Sequence, residues 1–327
     1  LPRGQPYLII AHFNFIYTDT MQTDEIMQRA ATAFEAYRYT SPADRAVFLE
    51  TIAAEMNAQR AALIETAHAE SNLPVPRLNG EITRTTTQLQ LFATLIREGS
   101  WVEAVIDTAR PDNTPARPDI RRMLLPAGPV IVFGASNFPF AFSTAGGDTA
   151  SALAAGCTVV IKGHPAHPGT SLMVFEAITN AINKTGMPAY TVQHVTGAGN
   201  AVGRELVMHP LTTGVGFTGS FQGGKALLDY AAQREVPIPV FAEMSSINPV
   251  VCYPDALATQ STQLAQTFAA SITLGMGQFC TNPGILLGLK SDALEDFIQQ
   301  LGAAIATVAP QKMLHKGICE AYDKGRT

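Results

Sequence analysis

Between Val130 and Ala232 the sequence alternates short, almost continuous apolar runs with longer amphipathic ones, and few folds accommodate that pattern. Val130-Ile131-Val132-Phe133, Thr158-Val159-Val160-Ile161, Thr191 to Val195 and Gly214 to Phe217 read as strands. Asp148 to Ala155, Gly169 to Ile182, Ala201 to Met208 and Phe221 to Ala232 read as the helices that follow them. A strand that is apolar at every position has no solvated face, so its sheet needs cover on both sides, and a parallel crossover needs a connection as long as a helix. The expected fold is α/β, a doubly wound sheet of the kind that binds nucleotides at the carboxyl ends of its strands.

Upstream, Tyr7-Leu8-Ile9-Ile10 reads as a short strand and three helices follow. The first starts with Thr23 as its cap, the second runs from Ser41-Pro42 through Leu63 towards Ser71, and the third spans Arg77 to Glu98. Serine before proline is a strong start signal, because the hydroxyl caps the helix and proline suits its first position. Trp101 to Ile106 and Ile120 to Leu125 flank a turn-rich stretch and predict a projecting β-ribbon. Pro237-Ile238-Pro239 marks a boundary. It divides the chain into 1–238, with the helices, the ribbon and a cofactor domain, and 239–327, the first part of an α/β catalytic domain. In the second part, strands at 240–243, 249–252 and 285–289 alternate with helices at 260–274 and 292–308.

The 22 Lys and Arg against 27 Asp and Glu leave a net charge of −5 with no basic run, which argues against nucleic acid as a partner. Apolar runs are too short for a membrane span or a secretory leader. The four cysteines are scattered, as in proteins of a reducing compartment, so a cytoplasmic location is expected. Cys157, Cys252 and Cys319 read as structural thiols. His164 and His167 are interleaved with Pro165 and Pro168, which excludes the helical spacing of many metal pairs, and no metal site is expected.

Chemistry centres on Gly277-Gln278-Phe279-Cys280-Thr281-Asn282-Pro283-Gly284. A cysteine among small and polar residues in a loop suits a nucleophile, whereas in isolation it reads more often as a small buried hydrophobe. Phe217 to Gly224 follows a strand and opens a helix, so its backbone amides suit a pyrophosphate.

These segments together resemble the aldehyde dehydrogenase superfamily over nearly the whole chain, from about Asp24 to Ala309. Gly277-Gln278-Phe279-Cys280 is similar to the family's Gly-Gln-x-Cys, which makes Cys280 the residue whose thiolate adds to the aldehyde. Glu243, 37 residues earlier, resembles the family's glutamate, which takes a proton from the thiol or from the hydrolytic water. Ala242 and Met244 beside it favour burial and a raised pKa. Asn137, which alone reads as part of an Asn-x-Pro turn, matches the asparagine that donates its amide to the oxyanion, with the Cys280 backbone amide as second donor.

The resemblance also implies NAD or NADP, held by Lys162 at the ribose, by Gly199 and Gly203, and by Gly219, Ser220 and Gly224 at the pyrophosphate. Pro165 stands where many NAD-preferring relatives carry a glutamate, so NADP is expected to be preferred. Segments such as Phe133 to Ser143 and Lys162 to Ser171 are similar to the branch containing 2-oxoglutarate semialdehyde dehydrogenases and an NADP-dependent fatty aldehyde dehydrogenase. The resemblance implies oxidation of 2,5-dioxopentanoate to 2-oxoglutarate, with a medium- or long-chain aldehyde as the alternative. Family members run longer and form oligomers. The expectation is therefore a truncated chain, a homo-oligomer when full length, and the rival reading is a fragment that binds nucleotide without turnover.

Overall fold

The computed structural model describes residues 20–197 and 200–326; the strand expected at Tyr7–Ile10 and the expected cofactor residue Gly199 lie outside them. Four helices come first: α1 (Thr20–Tyr37), α2 (Pro42–Ala58), α3 (Arg60–Ser71) and α4 (Val75–Glu98). Ser41 caps α2 as its sequence indicates, its hydroxyl accepting from the Asp44 N–H at 3.1 Å. The helix expected to continue to Ser71 breaks instead at Gln59, where φ is −103° and ψ 11°. Neither proline nor glycine marks the break. Arg60 spans it, donating to Asn57 Oδ1 at 3.0 Å and to Asn79 Oδ1 of α4 at 2.6 Å. Thr23 is not a cap but a buried residue inside α1 that donates to Glu205 at 2.9 Å.

The ribbon forms from β1 (Val105–Asp107) and β2 (Ile120–Arg122), antiparallel, with Val105 opposite Arg122. It is shorter than its apolar runs indicate. Ser100–Val102 forms a 3-10 turn and Glu103 takes φ of 50°, a left-handed conformation that ends the run before pairing begins.

Next come β3 (Val130–Phe133), α5 (Gly147–Ala155), β4 (Val159–Lys162), α6 (Pro168–Thr185) and β5 (Val192–Val195). They are followed by α7 (Asn200–Met208), β6 (Gly214–Thr218), α8 (Phe221–Ala232) and β7 (Val240–Glu243). The five strands are all parallel in the order β5-β4-β3-β6-β7. Period-two alternation sorts their side chains: Val132, Val159 and Ile161 enter one core with α2, α4, α5 and α6. Ile131, Phe133, Val160 and Val215 enter another with α1, α7 and α8. Glu70 of α3 fixes the start of α6, accepting from the Gly169 and Thr170 N–H groups at 2.7 and 2.9 Å, where a carboxylate meets the positive end of the helix. β7, which lies past the Pro237–Pro239 boundary, is the edge strand of this same sheet, with Val215 opposite Val240.

Beyond it β8 (Pro249–Cys252), α9 (Pro254–Thr273), β9 (Ile285–Gly288) and α10 (Asp292–Ala306) enclose a small core of Cys252, Leu257, Ala265 and Phe297. β8 and β9 pair in parallel, Pro249 opposite Ile285. α9 starts six residues earlier than its periodicity indicates and is bent at Gln260, where φ is −131°. A further helix, α11 (Lys316–Arg326), has no buried residue and carries Cys319, which is exposed rather than structural; Cys157 and Cys252 are buried as expected. Among the described residues no helix is long and apolar enough to cross a membrane.

Candidate active site

The strand order reverses direction between β3 and β6, and the carboxyl ends of those strands border a crevice there. The chain leaving β3 folds tightly back on itself, the Ala135 N–H donating to Phe142 O at 2.8 Å. A Cβ on Gly134 would come within 2.6 Å of Ser143 Oγ, so this close return needs glycine. Buried Glu81 of α4 accepts the Phe140 and Ala141 N–H groups at 2.9 and 2.8 Å. Asn137 lies on this held loop, and its Nδ2 donates to Gln278 O at 2.8 Å. An asparagine amide has two N–H groups, so one remains for a ligand.

Gln278 precedes the cysteine by two residues, so Asn137 is bonded to the loop that carries Cys280 although 143 positions separate the two in the sequence. The turn into this loop takes Gly275, Met276 and Gly277 through left-handed φ values of 55°, 62° and 70°. Met276 is strained by about 1 kcal/mol or more, and its neighbours hold it there. Asn282 Nδ2 donates to Ile272 O at 3.0 Å and Gly277 O at 3.1 Å, and Gln278 Nε2 donates to Gly275 O at 2.8 Å. Cys280 is half-buried. Its carbonyl oxygen accepts from Asn248 Nδ2 at 2.6 Å and from the Ser246 hydroxyl, leaving its thiol out of the fixed bonding.

Those two anchors, Ser246 and Asn248, follow Glu243 in the sequence, so one segment carries the carboxylate and holds the nucleophile's backbone. Glu243 ends β7, and its carbonyl accepts the Gly219 N–H at 3.0 Å. Its side chain is exposed, not buried as its apolar neighbours indicate. The reason is the position of β7 at the sheet edge, where Phe241 is also open, at 72% exposure.

On the α7–α8 side of the crevice lies a cavity of about 230 Å³. Lys162, Pro165 and Gly203, three residues expected to touch the cofactor, line it; Gly219, Ser220 and Gly224 stand beside it at the start of α8. Ser220 caps α8 by accepting the Gly223 N–H at 3.2 Å. A Cβ on Gly219 would meet the Phe217 ring at 2.6 Å and one on Gly224 would meet Met244 at 2.6 Å, so a larger residue at either place would displace one of these side chains. Phe133, His164 and Gly223, which lie within the quoted segments but were not singled out for the cofactor, also line the cavity, as do Asn200 and Tyr230, which no local motif marks. Burial holds the Lys162 amine below its ordinary pKa. The lining has a lysine and no carboxylate, a glycine-rich helix start and apolar walls, which fit a dinucleotide phosphate and its adenosine.

Behind Lys162 lies a histidine network. His194 Nε2 meets Ser171 Oγ at 2.7 Å, and Ser171 meets Thr144 Oγ1 at 2.7 Å. Burial, then the charges of Lys162 and His167, push His194 down to about 4. Its folded pKa lies below the unfolded value, so the stability it contributes is present above about pH 6.5 and is lost as pH falls towards 4. Between pH 6.5 and 5 the loss attributable to this residue is about 2 kcal/mol. Denaturant melts at the two pH values, compared between wild type and His194→Gln, give that difference; equal pH slopes would refute it.

A family model described as "Aldehyde dehydrogenase family" matches residues 9–318. The chain belongs to the aldehyde dehydrogenase family. It is 54% identical over 298 residues to alpha-ketoglutaric semialdehyde dehydrogenase 2 of Azospirillum brasilense, covering 91% of this chain and 57% of the relative. It is 47% identical over 305 residues to the alpha-ketoglutaric semialdehyde dehydrogenase of Acinetobacter baylyi, covering 93% and 58%. It thus spans a little over half the length of the curated aldehyde dehydrogenases it matches. The crystal structure of a salicylaldehyde dehydrogenase from Pseudomonas putida superposes with a TM-score of 0.81 at 17% identity, covering 94% of this chain and 62% of that one. That similarity confirms the aldehyde dehydrogenase fold expected from the sequence.

Proposed function

We propose that the protein oxidises an aldehyde to a carboxylic acid with NAD(P) through a covalent adduct on Cys280. The observation that carries this reading is the Asn137 amide bonded to Gln278 beside the cysteine. The thiolate of Cys280 adds to the carbonyl carbon, and the charge that develops on oxygen falls to the second Asn137 N–H and to the Cys280 backbone amide. When bound, the nicotinamide supplies the acceptor for the hydride lost as the adduct becomes a thioester. Glu243, open to solvent at the end of β7, takes a proton from the water that releases the acid.

The substrate in this reading is 2,5-dioxopentanoate, giving 2-oxoglutarate, because two relatives near half identity are alpha-ketoglutaric semialdehyde dehydrogenases. NADP is the preferred cofactor, since the cavity beside Lys162 has Pro165 and no carboxylate to repel a 2′-phosphate. The catalytic part starts after β7, and the whole protein assembles as a homo-oligomer through the exposed ribbon residues Ile106, Ile120 and Leu125. A specific observation favours the second substrate class: Phe138, Phe142 and Phe279 form an aromatic cluster beside Asn137 and Cys280, suited to an alkyl chain.

The test is NADPH formation with 2,5-dioxopentanoate and with decanal, each with wild type and Glu243→Gln. Faster turnover of the dioxo acid is the expected result. The variant should release about one NADPH per site and then slow by roughly 100-fold, as a base needed for deacylation is removed. Faster turnover of decanal would reverse the substrate order, and full turnover by the variant would remove Glu243 from hydrolysis.

A further inference from the structure

We propose that Arg84, with Arg77 behind it on the same face of α4, holds the carboxylate of an oxo-acid substrate while the aldehyde end of that substrate reaches Cys280. The proposal rests on the oxidation of an aldehyde acid and names the residue that would recognise it. The two arginines are about two helical turns apart, so their side chains leave α4 in the same direction. Both meet the aromatic cluster. Arg77 lies 4.5 Å from the Phe138 ring centroid and 4.9 Å from that of Phe279; Arg84 lies 5.9 Å from Phe138 and 4.9 Å from Phe142. Phe138 follows Asn137 and Phe279 precedes Cys280, with 5.2 Å between their centroids. A short aldehyde acid laid across Phe138 therefore has the oxyanion donor and nucleophile at one end and a guanidinium at the other.

The two cations differ in what already holds them. Arg77 is ion-paired with Glu81 and donates to Asn137 O at 3.2 Å. Arg84 is exposed and has neither an ion pair nor a hydrogen bond with any described residue. Glu81 is buried and accepts three partners: the Arg77 guanidinium and the Phe140 and Ala141 N–H groups. The one carboxylate that meets this pair is thus committed to Arg77 and to the loop. Arg77 is held down at about 10, by burial first and then by the charge of Arg84, so an anion at Arg84 would relieve a repulsion already present. A planar guanidinium is also the group that best matches a carboxylate, with two parallel N–H donors.

The experiment compares wild type, Arg84→Gln and Arg84→Lys with 2,5-dioxopentanoate and with pentanal, and measures glutarate binding by calorimetry. For Arg84→Gln, kcat/KM for the dioxo acid should fall roughly 10- to 100-fold, mainly through KM, against no more than about threefold for pentanal. Glutarate affinity should fall with the dioxo acid, and lysine should restore part of both. An equal loss on both aldehydes, no loss on either, or unchanged glutarate binding by Arg84→Gln overturns the assignment. If wild type oxidises neither aldehyde, the activity reading fails separately. Glutarate binding that is lost in Arg84→Gln then still supports the anion subsite, and its persistence refutes it.

Discussion

Cys280→Ala should abolish aldehyde oxidation, lowering kcat by at least about 10⁴-fold, while leaving the thermal melt and the affinity for NADP essentially as in wild type. The separation between chemistry and structure follows from how the loop is held. The bonds from Asn248 and Ser246 go to the carbonyl oxygen of Cys280, which alanine keeps, and the left-handed turn before it is fixed by Asn282 and Gln278. A half-buried sulfur is all that is removed. The cofactor cavity belongs to β3, β4, β6, α7 and α8, none of which uses the thiol. Turnover of 2,5-dioxopentanoate and a fluorescence titration with NADP read the two properties independently. Activity within tenfold of wild type would rule out a covalent route through Cys280, and loss of NADP binding would show that the loop had collapsed.

What the sequence revealed of this molecule was whatever is written locally. The strands from Val130 to Thr218 are largely apolar because the sheet is covered on both faces, so each could be placed to within a residue or two. The Ser41-Pro42 cap was equally local. Features that depend on partners far along the chain were not legible. The break at Gln59 is spanned by Arg60 reaching Asn79, and the exposure of Glu243 reflects the edge position of its strand, which Ala242 and Met244 do not encode. The same holds for the site. Cys280 and Asn137 carry motifs, whereas Arg77 and Arg84 touch the rings of a distant loop from α4, and a helix periodicity gives no reason to single them out. No separate helix was expected at Lys316–Arg326, since it buries no residue of its own and so leaves a weak apolar pattern.

Asn137→Ala should lower kcat by about 100- to 1,000-fold, the cost of removing one fixed donor to an oxyanion, or roughly 3–4 kcal/mol of barrier. Asn137→Asp should be worse, because it keeps the shape, loses the donor and sets a carboxylate where negative charge develops. The difficulty is that Asn137 has two partners to lose. Its amide also ties the β3 loop to Gln278 O at 2.8 Å, so a displaced nucleophile is a second route to a slow variant. Alkylation separates the two causes. Iodoacetamide reacts at the Cys280 sulfur by displacement, which is followed at the Cys280 peptide because Cys319 is also exposed. No oxyanion forms on a carbonyl there, so a variant that has lost only the donor alkylates at the wild-type rate while oxidising aldehyde slowly. The expected outcome is that pattern, helped by the Asn248, Asn282 and Gln278 bonds that continue to hold the loop. Parallel losses in alkylation and oxidation would assign Asn137 to positioning the loop and leave the oxyanion to the Cys280 backbone amide.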